Sequence, residues 1–95
     1  MEVKVKFFTL FRLEFGLSEL KIEVDKDFIT VKELLSLIDK KTKKNISEKL
    51  LNNEEKIKNS AIILVNGKNI FHLNGLNTKI FNNDEVSLFP PGGGG

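Results

Sequence analysis

The chain has no cysteine, no tryptophan and no tyrosine, and a single histidine, His72. Without cysteine there is no disulfide framework, no thiolate metal site and no cysteine nucleophile. One histidine without a neighbouring Asp, Glu or Cys cluster gives neither a metal site nor an acid–base pair, so His72 reads as an ordinary surface or edge-strand residue. No apolar run approaches the ~20 residues that span a bilayer. Neither sign of charge dominates: 15 basic residues face 13 acidic ones. That balance argues against a dedicated nucleic-acid binder. The one basic run, Lys40, Lys41, Lys43 and Lys44, falls at the end of a helical pattern, where cations favour the helix dipole. Neither a nucleic-acid nor a membrane partner is expected. Met1 runs directly into a strand pattern with no leader signal, so a cytoplasmic location is the expectation.

Proline is scarce and placed at one end. The chain finishes Phe89-Pro90-Pro91-Gly92-Gly93-Gly94-Gly95. Glycine has no Cβ and loses the most freedom on ordering. A glycine run after a strand and a Pro-Pro stop reads as a thin, flexible tail. With no nucleophile cluster elsewhere, the candidate reactive group is the carboxylate of Gly95, carried on a backbone narrow enough to enter another protein's active site.

The 95-residue chain is one small unit. We assign residues 1–91 to a folded domain and residues 92–95 to the tail. Val3, Val5 and Phe7 alternate with polar residues, as do Leu20, Ile22 and Val24, giving a hairpin of two half-buried strands, with Gly16 in the turn-like stretch between them. Thr30 and Glu33 form a capping-box signature, followed by an apolar stripe of Val31, Leu34, Leu35 and Ile38 and a helix reaching Lys41 or Lys44. Residues 47–58 give a second, weaker helical segment, short or irregular. Residues 61–65, Ala-Ile-Ile-Leu-Val, read as a strand buried on both faces. Asn66-Gly67 is a hairpin turn, residues 70–73 the return strand, residues 76–81 a connecting turn, and residues 85–89 the last strand. The order predicts an α+β, β-grasp (ubiquitin-like) fold, a mixed sheet of about five strands around one main helix.

In the last strand Val86 and Leu88 share one face, and Phe89 points the other way. Phe8 likewise points away from Val3, Val5 and Phe7. If the first and last strands are neighbours, Phe8 and Phe89 make an apolar patch on the polar side of the sheet, unless the second helical segment or a loop covers it. Apolar patches ringed by charge mark protein interfaces.

Val5-Lys6-Phe7-Phe8 with Arg12, Thr30-Val31-Lys32-Glu33-Leu34-Leu35, Val65-Asn66-Gly67, Asn83-Asp84-Glu85-Val86 and Phe89-Pro90-Pro91 before a terminal diglycine together resemble the sulfur-carrier branch of ubiquitin-like proteins. This is the MoaD/ThiS-like family, and the match is nearest to small subunits of molybdopterin synthase. It covers essentially the whole chain. The last strand with Phe-Pro-Pro and the diglycine is its specific part. Two positions depart from the family pattern: Asn83 stands where Gly is usual, and Gly92 and Gly93 stand where other residues usually separate Pro-Pro from Gly-Gly.

The resemblance implies a carrier rather than a complete enzyme. A ubiquitin-activating-type (E1-like) partner would use ATP and Mg to adenylate Gly95. A sulfur donor would convert the adenylate to a thiocarboxylate. The large subunit of molybdopterin synthase would then pass the sulfur to a pterin precursor of the molybdenum or tungsten cofactor. It also implies partner contacts at Phe8, Arg12, Phe89, Pro90 and Pro91, a tail of Gly92, Gly93 and Gly94, and no metal or cofactor held by the chain itself. The alternatives are a carrier for thiazole (thiamine) synthesis, a ubiquitin-like modifier joined to proteins through Gly95, and an inert interaction module. An α-carboxyl is ionised at neutral pH and is a weak nucleophile, so orientation and charge neutralisation must come from the partner.

Overall fold

Alternation in the first strand decides which side of the sheet is covered. The computed structural model describes residues 1–92. In β1 (Glu2–Phe7), Val3, Val5 and Phe7 are fully buried while Glu2, Lys4 and Lys6 are half-buried. The chain continues through α1 (Leu10–Phe15), β2 (Glu19–Glu23), β3 (Phe28–Thr30), α2 (Val31–Thr42), α3 (Ile46–Leu50), β4 (Ile62–Val65), β5 (Lys68–Asn69), β6 (Lys79–Phe81) and β7 (Glu85–Phe89). Five strands form a mixed sheet in the order β2-β1-β7-β4-β5, and β3 pairs with β6 in a separate two-stranded ribbon. Only β1 and β7 run parallel, with Lys4 opposite Glu85 and Phe7 opposite Leu88. The principal helix, α2, presses Val31, Leu34, Leu35 and Ile38 onto the sheet's apolar face. This is the β-grasp arrangement expected from the sequence.

The capping box is present. The Glu33 amide donates to Thr30 Oγ1 at 3.2 Å, and the Thr30 amide donates to Glu33 Oε1 at 3.1 Å. α2 ends at Thr42, with Lys43 left-handed at φ 58°. Lys40, Lys41 and Lys43 are exposed at this terminus. The Asn66-Gly67 turn has both residues at positive φ, 51° and 82°, and Asn83 adopts φ 68°, so asparagine serves there in place of glycine.

Two of the family-like motifs meet. Asn66 Nδ2 donates to Asp84 Oδ1 at 2.9 Å, Asn66 Oδ1 accepts from the Glu85 amide at 2.9 Å, and Asp84 Oδ2 accepts from the Phe81 amide at 2.8 Å. These bonds fix the β4–β5 turn against the β6–β7 turn. The latter is tied to the start of β1, since Asn82 Oδ1 accepts from the Glu2 amide at 2.7 Å.

Four expectations need correction, and the short second helix is refined. The connection between the first two strands contains α1, closed by Gly16 at φ 65°, and its Phe11 reaches the core with an edge-on contact to Phe7. The segment 47–58 is helical only as far as Leu50. Asn52 Oδ1 then accepts from the Glu54 and Lys56 amides, a local turn that competes with the helix. The strand of residues 61–65 is buried on one face only, because α2 covers one side of the sheet: Ile63 and Val65 are buried while Ile62 is 40% exposed. Residues 70–73 are not a return strand. β5 stops at Asn69, whose Oδ1 accepts from the Phe71 amide and starts a 3-10 turn at Ile70–His72, so His72 lies there. The supposed connecting turn at 76–81 contains β6, paired with β3 in register Phe28–Phe81, Ile29–Ile80 and Thr30–Lys79.

Glu33 titrates below its ordinary value of 4.5, mainly because the Thr30 amide and hydroxyl bond its carboxylate. A carboxylate depressed by folding contributes stability that is present above about pH 4.5 and lost as pH falls through the folded-state value. Replacing Glu33 by Gln is therefore expected to narrow the difference between urea midpoints measured at pH 7 and at pH 3. An unchanged difference would show that the box does not couple to pH.

Candidate docking face and tail root

The parallel pairing of β1 and β7 brings their C-terminal ends together. Beyond the Phe7–Leu88 pair, the Phe8 amide donates to the Leu88 carbonyl at 3.1 Å. Phe8 and Phe89 then stack on the open face of the sheet, with centroids 4.5 Å apart and planes 8° from parallel. Both rings are half-buried. The expected patch therefore exists, and neither α3 nor a loop covers it completely. Such a stack is worth ~0.5–1.5 kcal/mol beyond the area it buries. The Arg12 guanidinium lies 5.7 Å from the Phe8 ring centroid, at cation–π distance, on the exposed side of α1.

The sequence reading missed Ile62 and Leu64. Antiparallel register sets Ile62 opposite Phe89 and Leu64 opposite Ser87, so both extend the patch across β4. The signal was hidden because five consecutive apolar residues, 61–65, show no alternation. Charged pairs border the patch: Lys6 Nζ to Glu85 Oε1 at 3.4 Å and Lys4 Nζ to Glu19 Oε1 at 3.6 Å. Exposed at both ends, they contribute little stability and serve as a polar rim.

β7 stops at Phe89, as the Pro-Pro stop requires. Pro90 is buried within the chain itself and Pro91 is half-buried. Pro90 thus packs at the root of the tail, directly after the strand it ends. Gly92 is exposed. Gly93, Gly94 and Gly95, the last of them the expected reactive end, lie outside the described residues. No group of three or more His, Cys, Asp or Glu side chains gathers around a possible cation among the described residues.

A model of the ThiS family matches residues 5–95. The chain belongs to the ThiS family. A candidate sulfur carrier protein of Archaeoglobus fulgidus is 33% identical over 84 residues, covering 88% of this chain and 94% of the relative. Small archaeal modifier protein 3 of Haloferax volcanii is 33% identical over 95 residues, the full length of both. Among solved structures, a candidate molybdopterin converting factor subunit 1 from Pyrococcus furiosus superposes with a TM-score of 0.70 at 26% identity, covering 97% of this chain and 99% of that one. The unit is a small sulfur carrier or ubiquitin-like modifier, and its apolar patch lies where β7 ends.

Thr9 sits between Phe8 and α1 at φ 52° and ψ −122°, a conformation natural to glycine and strained for a β-branched residue. Its carbonyl accepts from the Arg12 amide at 3.0 Å, so the strained peptide sets Arg12 beside Phe8. Thr9→Gly is expected to raise stability by ~1 kcal/mol, read as a higher urea midpoint at constant slope. A lower midpoint would show that Thr9 is not strained in solution.

Proposed function

We propose that this chain carries sulfur on the carboxylate of Gly95 for assembly of the molybdenum or tungsten cofactor. A carboxylate oxygen attacks the α-phosphorus of ATP, held with Mg by an E1-like adenylating partner, and pyrophosphate leaves. Sulfide-level sulfur from a donor then attacks the acyl carbon, and AMP leaves. The resulting thiocarboxylate enters the large subunit of molybdopterin synthase, where its sulfur bonds to the pterin precursor and water then cleaves the acyl–sulfur bond, leaving the sulfur on the pterin and supplying the oxygen that restores the carboxylate. The chain's own contribution is positional. The observation that carries this reading is the Phe8–Phe89 stack with Ile62 and Leu64, an apolar seat at the point where the tail begins. A partner gripping that seat holds the tail's root, and the glycines keep side chains out of its channel. The Pyrococcus relative named for molybdopterin conversion supports this acceptor.

A second reading has its own support. The full-length likeness to a small archaeal modifier protein favours use of the same adenylate for isopeptide bonds to lysines of other proteins. The two readings share the first step and differ in what attacks the acyl carbon.

Intact-mass measurement separates them. The full chain is incubated with the source organism's adenylating enzyme, ATP, Mg and sulfide, beside a chain lacking Gly95. The expected result is an oxygen-to-sulfur mass gain on the full chain alone, and release of that sulfur when the synthase large subunit and pterin precursor are added. A stable thiocarboxylate not consumed by the synthase would exclude this acceptor. Lysine-linked conjugates in cells, lost on deleting the last two glycines, would favour the modifier. No mass gain with active enzyme would end the sulfur-carrier reading.

A further inference from the structure

Six large apolar side chains stand exposed among the described residues. Two of them, Leu13 and Ile62, are on α1 and β4. The other four are Phe28, Phe71, Leu73 and Phe81. Phe28 and Phe81 face each other across the β3–β6 ribbon with centroids 6.0 Å apart, and Lys79 Nζ lies 4.7 Å from the Phe28 centroid. Beside this pair runs a groove walled by Leu73 and Phe81 and rimmed by Lys68, His72 and Lys79. Neither the fold nor the tail's chemistry accounts for these exposed rings.

The groove is remote from the tail. Phe81 leads through Asp84 into the start of β7, whereas Phe89 and the tail's root are at its other end. The length of a five-residue strand, ~16 Å, separates the two surfaces. The groove therefore remains open when a partner grips Phe8 and Phe89.

Its charge selects an occupant. Lys68 and Lys79 make no ion pair among the described residues. Asp84, the one carboxylate in the lining, has both oxygens engaged by Asn66 and the Phe81 amide. Two ammonium groups and an imidazole around apolar walls suit carboxylates flanking an apolar side chain. They are too few to follow a phosphate backbone, and the chain's net charge of only +2 adds no wider attraction.

We propose that this groove is a second docking site, for an acidic protein segment whose apolar anchor seats between Leu73 and Phe81 while its carboxylates meet Lys68 and Lys79. A carrier built this way can be held at one end while its tail is worked on at the other. The proposal stands apart from the sulfur chemistry, since it concerns neither Gly95 nor the Phe8–Phe89 face.

The test is an NMR titration of the isotope-labelled full chain with a synthetic peptide bearing a Leu-Phe pair between runs of glutamate. Shifts should concentrate at Lys68, Leu73, Lys79 and Phe81 and leave Phe8 and Phe89 unmoved. Charge reversal at two exposed positions, K68E with K79E, should weaken binding by on the order of tenfold, as should a rise to high salt. The variant's spectrum away from the groove reports that it is folded. Four outcomes would overturn the proposal: no shifts, shifts centred on Phe8 and Phe89, equal binding of the peptide with lysine in place of glutamate, or preferential binding of an oligoadenylate. Line broadening that grows with protein concentration in the absence of peptide would assign the groove to a second copy of this chain instead.

Discussion

The parallel pairing of β1 with β7 is the constraint on which the rest depends. It joins the two ends of the sequence, so it forms only when everything between them has folded back. Its register sets Val5 beside Val86 and Phe7 beside Leu88 under α2, and the same alternation sends Phe8 and Phe89 to the opposite face. A slip of one residue would exchange the two sets, burying charge and exposing the core. Core and docking face are thus two consequences of one register. The pairing also ends β7 beside the apolar patch, at the root of the tail.

Local chemistry protects that register at both ends. At the entry to β7, Asn66 and Asp84 lock two turns together and Asn82 ties them to Glu2. At the exit, Pro90 is buried and β7 stops. Between them the open face carries cross-strand charges that keep its middle polar. The apolar exposures are therefore pushed to the two ends of the molecule, one at the tail's root and the other beside the β3–β6 ribbon.

Much of the site was legible beforehand because it depends on period-two alternation and on a turn chemistry that few residues satisfy. Phe8 and Phe89 could be placed on the open face from parity alone. Ile62 could not, because β4 lies within a run of apolar residues and only its neighbours say which side faces α2. The burial of Pro90 was hidden for a similar reason: a proline after a strand ends the pairing wherever it points, but whether it is buried depends on what packs there. The missed elements, α1, β3 and β6, are short. β3 and β6 gain their hydrogen bonds from each other across about half the chain, and α1 from a strained Thr9 and a buried Phe11.

The sequence by itself determined the alternation of β1, β2 and β7, the capping box and stripe of α2, the Asn66-Gly67 turn and the glycine end. Each is local, written in the spacing of a few neighbouring residues. Only the tertiary structure decided the pairing of β7 with β1 and β4 and of β3 with β6, the face of β4, the stacking of Phe8 on Phe89 with Arg12 beside them, and the joining of Lys68, Leu73, Lys79 and Phe81 in one groove. These are contacts between segments distant along the chain. Local spacing cannot encode them, because which surfaces meet is settled by burying the common core.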